Sequence, residues 1–142
     1  MLGGRNNPLD LVDLGQNGKK PIHGVYDFLI LGSLGLIHQG RMDWKILTME
    51  VNEAREAGVK CQEDYKRLFP GAIAEVRKWF RDYKISEGKK ENRFIQEGEI
   101  LSLNQTMRII IETSSEYKSL MEMYQGERKD NTWLRMEKKQ NL

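Results

Sequence analysis

The residues best suited to chemistry lie in three short strings. "HQGRMDWKI" carries Asp43 and Lys45, two positions apart around Trp44. On a strand, positions i and i+2 face the same side, so an acid and a base share one face there. "NNPLDLVDLG" adds Asp10 just beyond an Asn-Pro turn pair, and "WFRDYK" ends on Tyr83 and Lys84. Carboxylates hold hard divalent cations or exchange protons, and a lysine is a compact cation that can pair with them. Each group also has a plainer reading. A same-face acid–base pair is commonly a surface ion pair worth up to about 1 kcal/mol. Asp10 reads equally as a solvated acid beside a turn, and Tyr83-Lys84 as a helix C-terminus with a packed ring and a lysine favoured by the helix dipole.

The elements that must position these residues follow from hydrophobic period. Leu9, Leu11 and Leu14 alternate with Asp10 and Asp13, which predicts a short strand. After the loop "GQNGKKP", the run Phe28–His38 predicts a buried strand, in which Gly32 and Gly35 signal close packing or a bulge. "HQGRM" reads as a turn, and Trp44–Val51 as the returning strand of a hairpin. The period then changes. Ile73, Val76, Phe80 and Tyr83 recur at three and four residues with Trp79 beside them, one stripe of an amphipathic helix opened by Pro70-Gly71 and broken by "ISEGKKEN". A second helix is predicted over Leu103–Tyr124. Its buried face would be Leu103, Met107, Ile110, Ile111, Tyr117, Met121 and Tyr124, although Thr113, Ser114 and Ser115 form helix poorly. After Gly126 the periodicity fades into a basic tail, 126–142, expected to fray.

Bulk composition narrows the class. The 142 residues suit one domain, and 39% hydrophobic with 31% charged residues is polar for a globular chain without being a disordered composition. Twenty-three basic and 21 acidic residues give a net charge of +2, a balance that implies neither a nucleic-acid nor a membrane partner. The longest apolar stretch, Phe28–Ile37, is far short of a membrane span. The single cysteine, Cys61, forbids an intrachain disulfide, has no histidine near it in sequence, and reads as an incidental half-buried thiol. His23 and His38 form no recognised metal motif, and "EGKKEN" lacks the spacing of a phosphate-binding loop. Met1–Arg5 has no apolar signal-peptide core.

Four strings in order, "NNPLDLVDLG", "MDWK", "LFPGAIAEVRKWFRDYKISEGKKENRF" and "IETSSEYKSL", together resemble the soluble family I inorganic pyrophosphatases of eukaryotic type. The family pattern FPG…WFR.YK.P.GK.EN.F falls in register with Phe69-Pro70-Gly71, Trp79-Phe80-Arg81, Tyr83-Lys84, Gly88-Lys89, Glu91-Asn92 and Phe94. The resemblance runs from about Arg5 to Gln125 and covers only the central and later part of a family member. It implies an α+β fold, mainly β with two helices: a partial OB-like barrel with amphipathic helices packed outside, over residues 1–125. It also implies Mg²⁺-dependent hydrolysis of diphosphate to two phosphates.

What the resemblance implies for single residues is mixed. The family's D-x-D-P-x-D reads Arg5-Asn6-Asn7-Pro8-Leu9-Asp10 here, so Asp10 matches the third acid, while Arg5 and Asn7 stand in place of the first two. The family's acidic turn, of the form DEGETDWK, reads His38 to Lys45 here. Asp43 matches a metal ligand and Lys45 a phosphate-binding lysine, and His38 replaces a further aspartate ligand. Tyr83 and Lys84 match a phosphate-contacting pair. An amide oxygen is a weak Mg²⁺ ligand, a guanidinium is none, and imidazole suits Zn²⁺ or Mn²⁺ better. The family's earlier strands, with further acids and a phosphate-binding arginine, are not in this chain. Two outcomes are therefore expected: a pyrophosphatase-type enzyme, or a non-catalytic relative. The latter would act as an interaction subunit, with a full-length pyrophosphatase or another copy as partner, or be a relic product. A generic OB-like binding module is the third reading. Diphosphate is the expected ligand, Mg²⁺ the expected cofactor if there is one, and the cytoplasm the expected compartment, with the mitochondrion as the alternative.

Overall fold

The computed structural model describes residues 8–129. The expectations for Arg5 and Asn7, and for the tail beyond residue 129, fall outside those residues. The chain divides into two compact units, one ending at Arg108 and the other starting at Ile109.

The first unit holds an open, mixed sheet of four strands in the order β1-β3-β2-β4. These are β1 (Asp10–Asp13), β2 (Phe28–His38), β3 (Arg41–Glu50) and β4 (Arg93–Phe94). β2 and β3 form the expected antiparallel hairpin, β1 lies parallel to β3, and β4 pairs with the other edge of β2. The fold is α+β. The turn is shorter than "HQGRM" suggests. Gln39 and Gly40 both take positive φ, 51° and 74°, as a two-residue hairpin turn requires, so β3 starts at Arg41 rather than Trp44. The glycine signals in β2 are both physical. The register slips between Ile30 and Gly32, and a Cβ on Gly32 would lie 2.6 Å from the Leu101 carbonyl oxygen. One on Gly35 would meet Ile95 at 2.6 Å and Trp44 at 2.8 Å.

Residues Leu31–Leu36 are buried without alternation because both faces of β2 are covered. On one face Leu34 and Leu36 pack against Phe80. On the other, the Ser33 hydroxyl meets Thr106 at 2.8 Å, both fully buried. A second cluster gathers Leu14, Leu31, Leu47, Met49, Ala54, Val59 and Tyr65. The Tyr65 hydroxyl donates to the Leu14 carbonyl at 3.2 Å. Glu53 is buried, and its Oε1 accepts the N–H groups of Gln16 at 2.5 Å and Asn17 at 3.1 Å, which fixes the loop leaving β1.

Four α-helices follow the hairpin: α1 (Val51–Ala57), α2 (Gln62–Leu68), α3 (Ala72–Asp82) and α4 (Leu103–Lys129). α3 and α4 are the two expected helices, and α1 and α2 are additional. Val51 opens α1 instead of ending a strand, because the Glu50 carboxylate accepts the Glu53 N–H at 2.9 Å and Gly58 closes the helix in the left-handed region. These backbone donors hold the Glu50 pKa below its usual 4.5. The stability linked to that shift is present above 4.5 and lost as pH falls through the folded value. Glu50→Ala should therefore melt below wild type at neutral pH, and the gap should close in thermal melts below pH 4.5. A gap that stayed constant into acid would remove the charged cap from the account.

Two expectations about side chains change. Pro70-Gly71 precedes α3 instead of forming its first turn, and Gly71 caps it at φ 84°. Cys61 is exposed, at the residue before α2, and not half-buried. The larger correction concerns α4. Leu103 and Met107 in the first unit are exposed, as are Ile111, Tyr117, Met121 and Tyr124 in the second, and Thr106 is the buried residue instead. Period identifies an apolar stripe but not what covers it.

Candidate functional site: a lysine held by two carboxylates

The β1–β3 register sets Asp10 beside Lys45, and the β2–β3 register sets Leu36 opposite Asp43 and His38 opposite Arg41. Because alternate strand residues share a face, Arg41, Asp43, Lys45 and His38 all project from the side of the sheet that α3 covers. The expected pairing of Asp43 with Lys45 is present, and Asp10 joins it. Lys45 Nζ lies 2.5 Å from Asp10 Oδ2 and 3.0 Å from Asp43 Oδ1. It also sits 5.6 Å from the centroid of the Phe80 ring, a cation–π contact. The exposures decide how this trio behaves. The Lys45 side chain is 8% exposed, Asp43 13% and Asp10 60%. Burial pulls the lysine pKa down, but the hydrogen bonds to Asp10 and Asp43 outweigh it and leave it above the usual value.

α3 delivers the second group. Tyr83 is its C-terminal cap residue. The Tyr83 ring stacks on Trp79, with centroids 4.9 Å apart and planes within 10°, and meets Phe80 edge-on at 6.1 Å. Trp79, beside the apolar stripe in the sequence, is exposed. Lys84 Nζ lies 5.2 Å from the Tyr83 ring centroid and 3.3 Å from both ring nitrogens of His38. The sequence-predicted residues thus form two neighbouring groups, Asp10–Lys45–Asp43 and Tyr83–Lys84–His38, with Phe80 touching a member of each. Sequence reasoning placed Asn92 in the family pattern but gave it no role. It is buried, its N–H donates to the Arg81 carbonyl at 2.9 Å and its Nδ2 to the Phe80 carbonyl at 2.8 Å. It ties the end of α3 in place. Its only signal was its position in "GKKEN", far along the chain from the carbonyls it serves.

A family model for inorganic pyrophosphatase matches residues 2–118. The chain belongs to the inorganic pyrophosphatase family. It is 38% identical over 118 residues to an inorganic pyrophosphatase of Dictyostelium discoideum, covering 83% of this chain and 42% of that protein. It is 36% identical over 117 residues to soluble inorganic pyrophosphatase 1, chloroplastic, of Chlamydomonas reinhardtii, covering 82% and 41%. Among solved structures, the apo vacuolar soluble pyrophosphatase of Trypanosoma cruzi superposes with a TM-score of 0.80 at 31% identity, covering 88% of this chain and 32% of that one. An N-terminally truncated form of the same enzyme in complex with PPi gives 0.76 at 31%, over 84% and 45%. The chain therefore spans less than half the length of these pyrophosphatases.

The family implies a divalent metal, and the described donors do not fit one. Among the described residues no group of three His, Cys, Asp or Glu side chains converges to hold a metal ion. Asp10 and Asp43 both already accept from Lys45, and His38 is engaged with Lys84. Mg²⁺ asks for near-octahedral oxygen ligands at roughly 2.0–2.1 Å.

Proposed function

We propose that this chain is a diphosphate-binding member of the pyrophosphatase family that, by itself, hydrolyses diphosphate weakly or not at all. Lys45, Tyr83 and Lys84 hold the phosphoryl oxygens. An ammonium has three donors, and Lys45 spends two on Asp10 and Asp43, which leaves one for a ligand. The observation that carries the reading is that same trio: the two carboxylates that would hold metal share the Lys45 ammonium within the fold. Without a metal to lower its pKa, water is a poor nucleophile at neutral pH. In this reading the chain works in the cytoplasm as a subunit beside a full-length pyrophosphatase or a second copy of itself. Among the described residues β1 and β4 are the edge strands of the sheet, which supports such association.

The second reading is Mg²⁺-dependent hydrolysis, with Asp10 and Asp43 as metal ligands. Family membership supports it. Phosphate release from diphosphate separates the two. Turnover at millimolar Mg²⁺ that Asp43→Asn abolishes would overturn the first reading. The expected result is no release above background, together with a thermal shift on adding diphosphate.

A further inference from the structure

The charges around the site do more than weaken metal binding. Lys45, Lys84 and Arg41 bring three cations to one face, and Asp10 and Asp43 bring two carboxylates. Both carboxylates are committed to Lys45. Among the described residues the ion pairs leave Lys84 and Arg41 without a carboxylate, because the neighbour of Lys84 is His38. A site of this composition repels a divalent cation and attracts an anion.

Metal entry carries a second cost. Mg²⁺ bound between Asp43 and Asp10 would have to share them with the Lys45 ammonium, whose side chain is 8% exposed. A dication there would sit against that almost buried ammonium, a like-charge contact that water screens poorly. An anion makes no such demand. It adds an acceptor to the third Lys45 donor and to the Lys84 ammonium, and leaves the existing hydrogen bonds intact.

We propose that this site takes a phosphate-class anion without any divalent cation, with the clamped Lys45 as the fixed counter-charge and Lys84 and Arg41 as the attracting charge. This rests on the reading that the site binds diphosphate, and it names how. His38 is the positioning residue of the arrangement: it sits beside Lys84 without neutralising it, where a carboxylate would.

Calorimetric titration of sodium diphosphate into the full 142-residue chain tests this, once in EDTA and once in millimolar Mg²⁺. Binding is expected in EDTA, and Mg²⁺ should not strengthen it. Mg²⁺ alone should give no heat and no thermal shift. Lys84→Ala should weaken binding in EDTA about tenfold or more, the scale of one charge-assisted contact. Arg41→Gln, at the exposed first residue of β3, provides a second loss of charge that does not depend on the Lys84 variant folding. His38→Asp should weaken binding in EDTA and make Mg²⁺ strengthen it. Diphosphate bound only with Mg²⁺ would overturn the metal-free site and leave the diphosphate reading standing. No binding in either buffer would overturn both. Binding in EDTA that neither Lys84→Ala nor Arg41→Gln changes would overturn the assignment to this face.

Discussion

Lys45→Ala is expected to lower folding stability by about 3 kcal/mol, read from the midpoint and slope of urea unfolding. Removing one member of a buried ion pair costs roughly 3–5 kcal/mol, because the remaining charge stays buried without a partner. The lower end applies, since Asp10 is 60% exposed and water can take over its half, whereas Asp43 at 13% exposure cannot be resolvated without moving β3. The ammonium also leaves its place over the Phe80 ring. The double variant Asp43→Asn with Lys45→Met should recover much of the loss, since it removes both buried charges at similar volume. The Lys45 pKa is raised by its hydrogen bonds to Asp10 and Asp43 against the pull of burial. Its contribution is then complete below the ordinary lysine value of 10.5 and is lost only as pH rises through the higher folded value. The gap between wild type and Lys45→Ala should therefore stay constant from neutral pH up to that range. A loss under about 1 kcal/mol would mean that the trio behaves as an exposed surface pair.

Two site residues, Asp43 and Lys45, were legible from local pattern, and the others only from the family motif. Asp43 and Lys45 need only strand period to share a face, and the β2–β3 pair follows from one apolar run, one turn and a second apolar run. Asp10 reaches Lys45 through a parallel pairing across 35 positions, which no local pattern announces. The contact between His38 and Lys84 spans 46 positions, and it exists because Phe80 seats α3 on Leu34 and Leu36. α1 and α2 escaped notice for a different reason. Each is seven residues long, too short to display a period, and Val51 carries a β-branched side chain that suits the strand before it. The information was in the cap instead: Glu50 accepts from Glu53, and Gly58 stops the helix. α4 failed in the opposite sense. Its apolar stripe is real in the sequence, but burial depends on a surface to meet it, and Ile110 alone of the seven predicted residues is half-buried.

Phe80→Ala carries the other large effect, and it joins stability to binding. Phe80 is 7% exposed and clusters with Leu34 and Leu36, a group that Val12, Val76, Tyr83, Phe94 and Ile100 pack against. Truncating a buried phenylalanine costs about 3–5 kcal/mol through lost transfer energy and the cavity left behind. The site should respond as well. Phe80 meets Trp79 edge-on at 4.9 Å and Tyr83 at 6.1 Å, and those rings direct the turn that presents Lys84. It also underlies Lys45, a cation–π contact worth up to about 1–2 kcal/mol where water is excluded. Phe80→Leu separates these roles. It keeps most of the volume, so its stability cost should stay near 1–1.5 kcal/mol, yet it removes every ring contact. Diphosphate affinity should then fall in both variants, while stability falls steeply only in Phe80→Ala. If affinity instead tracks stability across the two, the ring serves α3 only as packing, and the position of Lys84 must come from the Asn92 hydrogen bonds to the Phe80 and Arg81 carbonyls.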